Sequence, residues 1–261
     1  MRITFLGTGT SQGIPVIGCA CAVCLSPAPH DKRFRASIVV EHDDGTHVLV
    51  DTTPDLRSQA LSFGLTRVDA VVYTHAHADH IFGLDELRRF IALNGGGAMP
   101  VYGDAGTMTE LRRIFGYAFD SPAELGGGVP RLVAEVVDGP FVLRGTAWTP
   151  VPILHGRRRI HGYRIGGFAY LTDCSGVPDE TWPLLDGLDV LVVGALRETP
   201  HPTHFSIGEA VEAARRVGAR QTFFTHMCHD LGHSATNARL PEGMALAYDG
   251  LSVSLPLSVS S

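Results

Sequence analysis

Apolar residues recur along this chain with two periods. Near the start they form short runs rich in Val, Ile and Thr, at Ile3–Leu6, Ser37–Glu41, Val48–Asp51 and Ala70–Thr74, bounded by Gly, Pro or Asp. Such runs predict strands. Runs of the same kind return over Leu132–Val137, Pro150–His155, Tyr163–Gly166, Phe168–Asp173, Val190–Gly194 and Thr222–His226. Between these groups the spacing becomes helical. Thr53-Pro54-Asp55 opens a helix, with Thr53 as N-cap and Pro54 at the first helical position, and Gly64 closes it. Thr107 to Glu110 has capping-box spacing and leads into Leu111, Ile114 and Phe115 on one face. Ser206 caps a segment with Ile207, Ala210, Val211, Ala214 and Val217 on one face, which Gly218 stops. Near the end, Ala247 to Val253 reads as a hairpin around Asp249-Gly250. Strand groups in both halves with helices between them predict two sheets packed face to face, with helices outside.

Neither a charge run nor a low-complexity tract nor a long linker divides the sequence, so residues 1–261 read as a single domain. Two Gly-rich stretches, Asn94–Met99 and Leu125–Val129, are the expected mobile connections. The composition, 44% hydrophobic and 18% charged over 261 residues, is that of a chain able to bury a large core without cross-links. A formal net charge of -6 with no Lys/Arg-rich run disfavours sequence-independent binding to duplex nucleic acid, which depends on neutralising phosphates. Met1 to Gly7 lacks an apolar stretch of signal length. No window approaches the roughly 20 apolar residues that span a bilayer. The expectation is a cytoplasmic protein with no membrane partner; a homodimer is expected only from the prevalence of two-fold assemblies.

Histidine changes this picture. The run His75-Ala76-His77-Ala78-Asp79-His80 follows the apolar stretch Ala70 to Thr74 and precedes a helical segment with Leu84, Leu87, Phe90 and Ile91 on one face. A regular strand would send alternate residues to opposite faces, whereas a loop at a strand end can turn three imidazoles and a carboxylate into one cleft. Imidazole with carboxylate suits Zn, Mn or Fe.

His-x-His-x-Asp-His resembles the signature of the metallo-β-lactamase superfamily, whose fold is an αββα sandwich of two packed mixed β-sheets flanked by helices. The resemblance implies further ligands at later strand ends, and His155, Asp173 and His226 end apolar runs in the expected order. By position, His75, His77 and His155 would hold one metal and Asp79, His80 and His226 the other, with Asp173 bridging. Asp51 matches an earlier strand-end Asp and is expected to orient a ligand histidine rather than bind metal. Paired metals sit ~3.5–4 Å apart and can bring a bound water to a pKa near ~7, which implies hydrolysis.

Three of the 5 Cys lie within six residues, Cys19, Cys21 and Cys24. An odd, clustered set suggests metal binding rather than a disulfide framework. A closed structural zinc site needs four ligands, and His229 in Thr225-His226-Met227-Cys228-His229 is the candidate fourth. Together with Leu6-Gly7-Thr8-Gly9, the C-x-C-x-x-C run and T-H-x-x-H resemble the PhnP family of cyclic phosphodiesterases, over nearly the whole chain. That resemblance adds His204, before the helix at Ser206, as a residue that contacts the phosphate and protonates the leaving oxygen. Asp79 and His204 are thus the candidate catalytic residues.

Other features carry less. Gly7 to Gly13 is Gly-rich after a strand, yet it has no Lys and lacks P-loop spacing, so it reads as a tight turn beside the site. Cys174 and Cys228 read as packing residues. Arg157-Arg158-Arg159 reads either as an anion contact or as a solvated loop. The expected activity is a dinuclear metal-dependent hydrolase, with two active-site divalent ions (Zn or Mn, Fe also fitting) and one structural Zn. Its expected substrate is a small or cyclic phosphodiester. The alternatives are a thioester or lactone hydrolase of the same fold, an RNA-processing nuclease, and a non-catalytic biosynthetic accessory protein.

Overall fold

The computed structural model of the chain describes residues 1–119 and 128–255, so within the Gly-rich stretch at 125–129, positions 125–127 lie outside the described residues. The apolar runs become strands: β1 (Arg2–Gly7), β2 (Ser37–Glu41), β3 (His47–Val50), β4 (Ala70–Val72), β5 (Met99–Gly103), β6 (Leu132–Val136) and β7 (Phe141–Leu143). They continue with β8 (Thr146–His155), β9 (Arg158–Ile165), β10 (Phe168–Leu171), β11 (Val190–Gly194), β12 (Gln221–Thr225), β13 (Met244–Leu246) and β14 (Ser252–Ser254). Among the described residues they form two seven-stranded sheets, ordered β14-β1-β2-β3-β4-β5-β6 and β13-β12-β11-β10-β9-β8-β7. Both sheets are mixed: β3 to β6 and β10 to β13 run parallel, whereas β1, β2 and β3, and β7 to β10, pair antiparallel.

Strand periodicity decides the layers, because successive side chains leave opposite faces. Phe5, Ile38, Val40, Val50 and Val72 face the second sheet and pack with Trp148, Tyr163, Phe168, Tyr170 and Val192. Their neighbours Leu6, Val39, Leu49 and Val71 face outward onto Leu56, Leu87, Phe90 and Leu111 of the flanking helices. On the far side, Val151, Ala169, Leu191, Val193 and Phe224 meet Ile207, Ala210 and Ala214. Each large side chain so enclosed contributes about 1.5–3 kcal/mol relative to exposure. The expected αββα sandwich of the metallo-β-lactamase fold is the fold observed.

Several local expectations hold and others shift. The helix Ile207–Val217 carries the full capping box, with Ser206 accepting from the Glu209 N–H and Glu209 accepting from Ser206, and Gly218 closes it at φ 67°. Gly64 closes the helix Leu56–Phe63 at φ 65°. That helix begins later than the sequence suggests. The Thr53 hydroxyl accepts from the Asp55 N–H at 3.2 Å in a turn before it. Asp55 itself takes the N-cap position, with its carboxylate held by Arg35. The helix Ala105–Ile114 is capped by Asp104, which accepts from the Thr107 N–H at 2.6 Å, so Thr107 lies inside the first turn.

The Asp249-Gly250 turn exists, but it makes no hairpin. On one side β13 pairs with β12 in the second sheet; on the other β14 pairs with β1 in the first. Long-range partners hold the turn instead: the Thr8 hydroxyl and the Phe34 N–H donate to the Asp249 carboxylate at 2.7 and 2.6 Å. Of the arginine run, Arg158 and Arg159 belong to β9, and Arg159 pairs with Glu180 at 2.7 Å.

Candidate metal centre

In a sheet of this kind, residues just beyond the carboxyl ends of co-directional strands share one rim. β3, β4, β8, β10, β11 and β12 all deliver chain to that rim. Asp51 follows β3, His75 comes after β4, His155 ends β8, Asp173 comes after β10 and His226 follows β12. Among the described residues four non-glycines are left-handed, and three stand here: Asp51 (φ 64°), Asp173 (φ 55°) and His226 (φ 58°). Such backbone is costly for an ordinary residue, and it breaks strand alternation where each side chain turns into the cleft. The short helix Ala78–Ile81 supplies Asp79 and His80. Its close packing under the rim requires Gly83, where a Cβ would lie 1.9 Å from the Thr53 carbonyl oxygen.

All seven expected ligands converge. One ligand atom from each of His75, His77 and His155 lies within 4.8 Å of the others, and Asp79, His80, Asp173 and His226 form a second such group. His80 Nε2 lies 3.3 Å from Asp79 Oδ2 and 3.2 Å from Asp173 Oδ2, while His226 Nε2 lies 3.2 Å from Asp173 Oδ1. Asp173 therefore faces both His80 and His226 with different oxygens. It also closes a third group with His155 and His204.

The backs of the imidazoles are fixed. His80 Nδ1 donates to Asp51 at 2.7 Å, and Asp51 also accepts from the Thr74 N–H and hydroxyl, both at 2.8 Å. His155 Nδ1 sits against the Thr203 carbonyl at 2.8 Å and that of Asp173 at 3.0 Å. These contacts leave Nε2 of each ring pointing inward.

The residues suit divalent cations. Nε2 of His75, His80 and His226 are buried without a hydrogen-bond partner, a costly arrangement that a cation resolves. Charge tells the same story. Burial, reinforced by His80, presses His75 well below its ordinary value. Burial and then His155 lower His77. Burial acts to lower His80 as well, but the carboxylates of Asp173, Asp79 and Asp51 outweigh it and hold that imidazole well above its ordinary value. Against burial, His226 and His80 keep Asp173 well below the carboxylate range. The carboxylates of Asp51, Asp79 and Asp173 thus demand positive charge, and the lowered imidazoles of His75 and His77 offer lone pairs.

His204 stacks on His226 with ring centroids 4.8 Å apart, and its Nδ1 lies 3.7 Å from Asp173 Oδ1. Burial and then His226 push it down to about 3. His161, by contrast, joins none of these clusters; burial lowers it as well.

The cysteine run meets its expected partner across the chain. Sγ of Cys19, Cys21 and Cys24 lie 3.2, 3.5 and 3.4 Å from His229 Nδ1. The Cys24 N–H donated to Cys21 lowers that thiol to about 7, whereas burial raises Cys24. Three thiols and one imidazole around one point match a closed zinc set. Cys174 is buried in the core and pushed up to about 12 by that burial, in keeping with a packing role.

What the sequence did not reveal is a groove of about 430 Å³ beside His204, lined among others by Thr10, Ser11, Gln12, Arg197, His201 and Asp230. The sequence placed the Gly-rich turn beside the site and offered His201 as a weaker candidate than His204, but nothing in it joins the four separate segments that these residues come from. The turn after β1, whose Gly-rich run is not a P-loop, forms one wall.

Residues 46–227 match the family described as Beta-lactamase superfamily domain. The crystal structure of a new diphosphatase from the PhnP family superposes with a TM-score of 0.90 at 46% identity, covering 97% of each chain. Zinc-bound PqqB from Methylobacterium extorquens has the same fold, with a TM-score of 0.77 at 19% identity over 98% of this chain and 100% of that one. The octanoyltransferase of Porphyromonas gingivalis is 35% identical over 253 residues, which are 96% of this chain but 51% of that protein; this chain spans about half of it. Fold, matched domain and near full-length similarity agree: the chain belongs to the metallo-β-lactamase superfamily of metal-dependent hydrolases and, within it, to the PhnP family.

Proposed function

We propose that this chain hydrolyses small phosphodiesters, cyclic ones included, with two divalent cations. His75, His77 and His155 would hold one cation and Asp79, His80 and His226 the other, with Asp173 shared. Cys19, Cys21, Cys24 and His229 would hold a structural zinc. The observation that carries the reading is the convergence of seven ligand side chains, with the buried Nε2 atoms of His75, His80 and His226 lacking a hydrogen-bond partner. Bound there, the cations would supply Lewis-acid charge for a phosphoryl group and would lower the pKa of a bound water to about 7.

The chain's own residues do the positioning. Asp51 locks the His80 ring, and the Thr203 and Asp173 carbonyls lock His155, so neither reorganises as charge develops. His204, set against Asp173, directs an N–H toward the phosphoryl oxygens at the groove mouth. A carboxylate as the shared ligand, rather than a thiolate, keeps the centre hard and suited to phosphoryl oxygen.

The test is the initial rate on bis(p-nitrophenyl) phosphate with Mn-loaded protein beside His226→Ala. Turnover lost in the variant is expected; metal-replete protein without turnover refutes the reading. A second reading, hydrolysis of an acyl thioester, draws on the similarity to the P. gingivalis octanoyltransferase. An octanoyl thioester cleaved faster than the phosphodiester would favour it.

A further inference from the structure

The groove beside His204 has a built interior. On one wall the turn carrying Ser11 and Gln12 is pinned. Arg35 Nε donates to the Ser11 carbonyl at 2.8 Å, Thr10 N–H to the Met227 carbonyl at 3.0 Å, and Gly13 N–H to the Thr10 carbonyl at 2.8 Å. On the other wall Arg197 donates through Nε to the Thr199 carbonyl at 3.1 Å and through one Nη to that of Pro200 at 2.8 Å. Among the described residues Arg197 forms no ion pair, so its charge is uncompensated by protein. The Thr203 N–H donates to His201 Nδ1 at 3.3 Å, which places the His201 proton on Nε2 as a donor. A carboxylate, Asp230, enters only at the end of the groove near His229.

The imidazoles form a progression away from the ligand cluster. His226 and His204 centroids are 4.8 Å apart, and His204 and His201 centroids 5.2 Å apart. Arg197 and His201 line the same groove as His204. The volume lies in the range of small-molecule sites, and a guanidinium held by two carbonyls is oriented for a phosphoryl oxygen pair.

We infer that Arg197 and His201 form a second phosphoryl subsite and that the preferred substrates are diphosphate diesters, R–O–P–O–P–O–R′. This rests on the phosphodiesterase reading and narrows it. The oxygen of water bonds to the proximal phosphorus, the bridging P–O bond breaks, and its electron pair leaves on the distal phosphoryl. The displaced proton passes to solvent, giving two phosphate monoesters. Arg197 holds the distal phosphoryl in the bound substrate and meets the further charge that grows on it as it leaves. Asp230 at the far end suits a hydroxylated R′ and disfavours a longer polyphosphate. The PhnP-family diphosphatase at 46% identity agrees with this class.

The experiment compares kcat/KM of the full-length, Mn-loaded enzyme on a diaryl diphosphate and on bis(p-nitrophenyl) phosphate, for wild type, Arg197→Gln and His201→Gln. Inhibition by inorganic pyrophosphate and by inorganic phosphate is measured in parallel. Arg197→Gln should lose roughly tenfold to hundredfold more on the diphosphate than on the single phosphodiester, the worth of a charge-assisted hydrogen bond. Pyrophosphate should inhibit wild type more strongly than phosphate, and both variants should erase that advantage. His201→Gln leaves the carbonyl contacts of Arg197 intact and so guards against mere loosening of the 199–204 loop. Equal losses on both substrates, or an undiminished pyrophosphate advantage, would overturn the subsite. Wild type inactive on both substrates would overturn the phosphodiesterase reading as well, a separate outcome.

Discussion

Asp51 touches no other ligand than His80, yet it should control the cation that His80 holds. Its carboxylate is fully buried and accepts three hydrogen bonds, two from Thr74 and one at 2.7 Å from His80 Nδ1. Asp51→Asn is a clean perturbation, because the residue sits at φ 64°, a region that Asn adopts with little strain. Asn keeps one carbonyl acceptor, which can serve Thr74, and loses the charge-assisted bond to His80. That bond is worth about 1.5–3 kcal/mol. A loss of about 2 kcal/mol is roughly a 30-fold weaker cation affinity at the Asp79-His80-His226 position. The same range follows from residues that orient ligand histidines elsewhere, about 10- to 100-fold. Asp51→Ala should cost a further ~1–2 kcal/mol of fold stability from left-handed strain. The assay is competition with a chromogenic chelator for Mn or Zn, with urea denaturation of the metal-free proteins beside it. An Asn variant within twofold of wild type in the weaker-held equivalent, or an Ala variant as stable as Asn, would refute the reasoning.

Other outcomes follow from single sites. Cys24→Ser should remove one zinc equivalent per chain by elemental analysis and lower Tm, at about 2–4 °C per kcal/mol lost; retention of full zinc content would contradict the four-ligand set. Gly83→Ala must displace the Thr53 carbonyl or the helix bearing Asp79 and His80, since a Cβ there lies 1.9 Å from that oxygen. Overpacking of this kind costs about 1–3 kcal/mol, read by urea denaturation, and turnover should fall with it. Burial pushes the Asp249 carboxyl up to about 7, above the ~3.9 of an unfolded Asp. The folded state therefore binds that proton more tightly. Its contribution to stability is present below about pH 4 and lost as pH rises through 7. Asp249→Asn should accordingly gain in Tm relative to wild type between about pH 4.5 and 8; parallel curves would show that the carboxyl is ionised throughout.

Local chemistry was legible where its cause was local. The His75 to His80 run could be read because ligands, strand end and helix start all lie within a few residues. The Ser206 box and the Gly64 and Gly218 stops hold for the same reason. Thr53 and Thr107 misled because a better acceptor, or a competing partner such as Arg35, stood nearby in space or a turn earlier in the chain. The turn at Asp249-Gly250 misled differently. Its sequence specifies a reversal, but whether the flanking strands pair with each other depends on β12 and β1, which are far away in the chain.

By itself, then, the sequence determined the alternation of strands and helices, the layered class through its resemblance, and the identity of the eleven side chains that meet at the two clusters. Residue type and short spacing encode those. Only the tertiary structure decided which strands share a sheet, that three left-handed residues turn Asp51, Asp173 and His226 into one cleft, and that Ser11, Arg197, His201 and Asp230 enclose a groove. The physical reason is that a groove is made by segments as far apart as Thr10 and Asp230, brought together by burial of apolar faces that are interchangeable along the chain. Their polar rims carry no periodicity of their own, so nothing short of the packed sheets brings them into register.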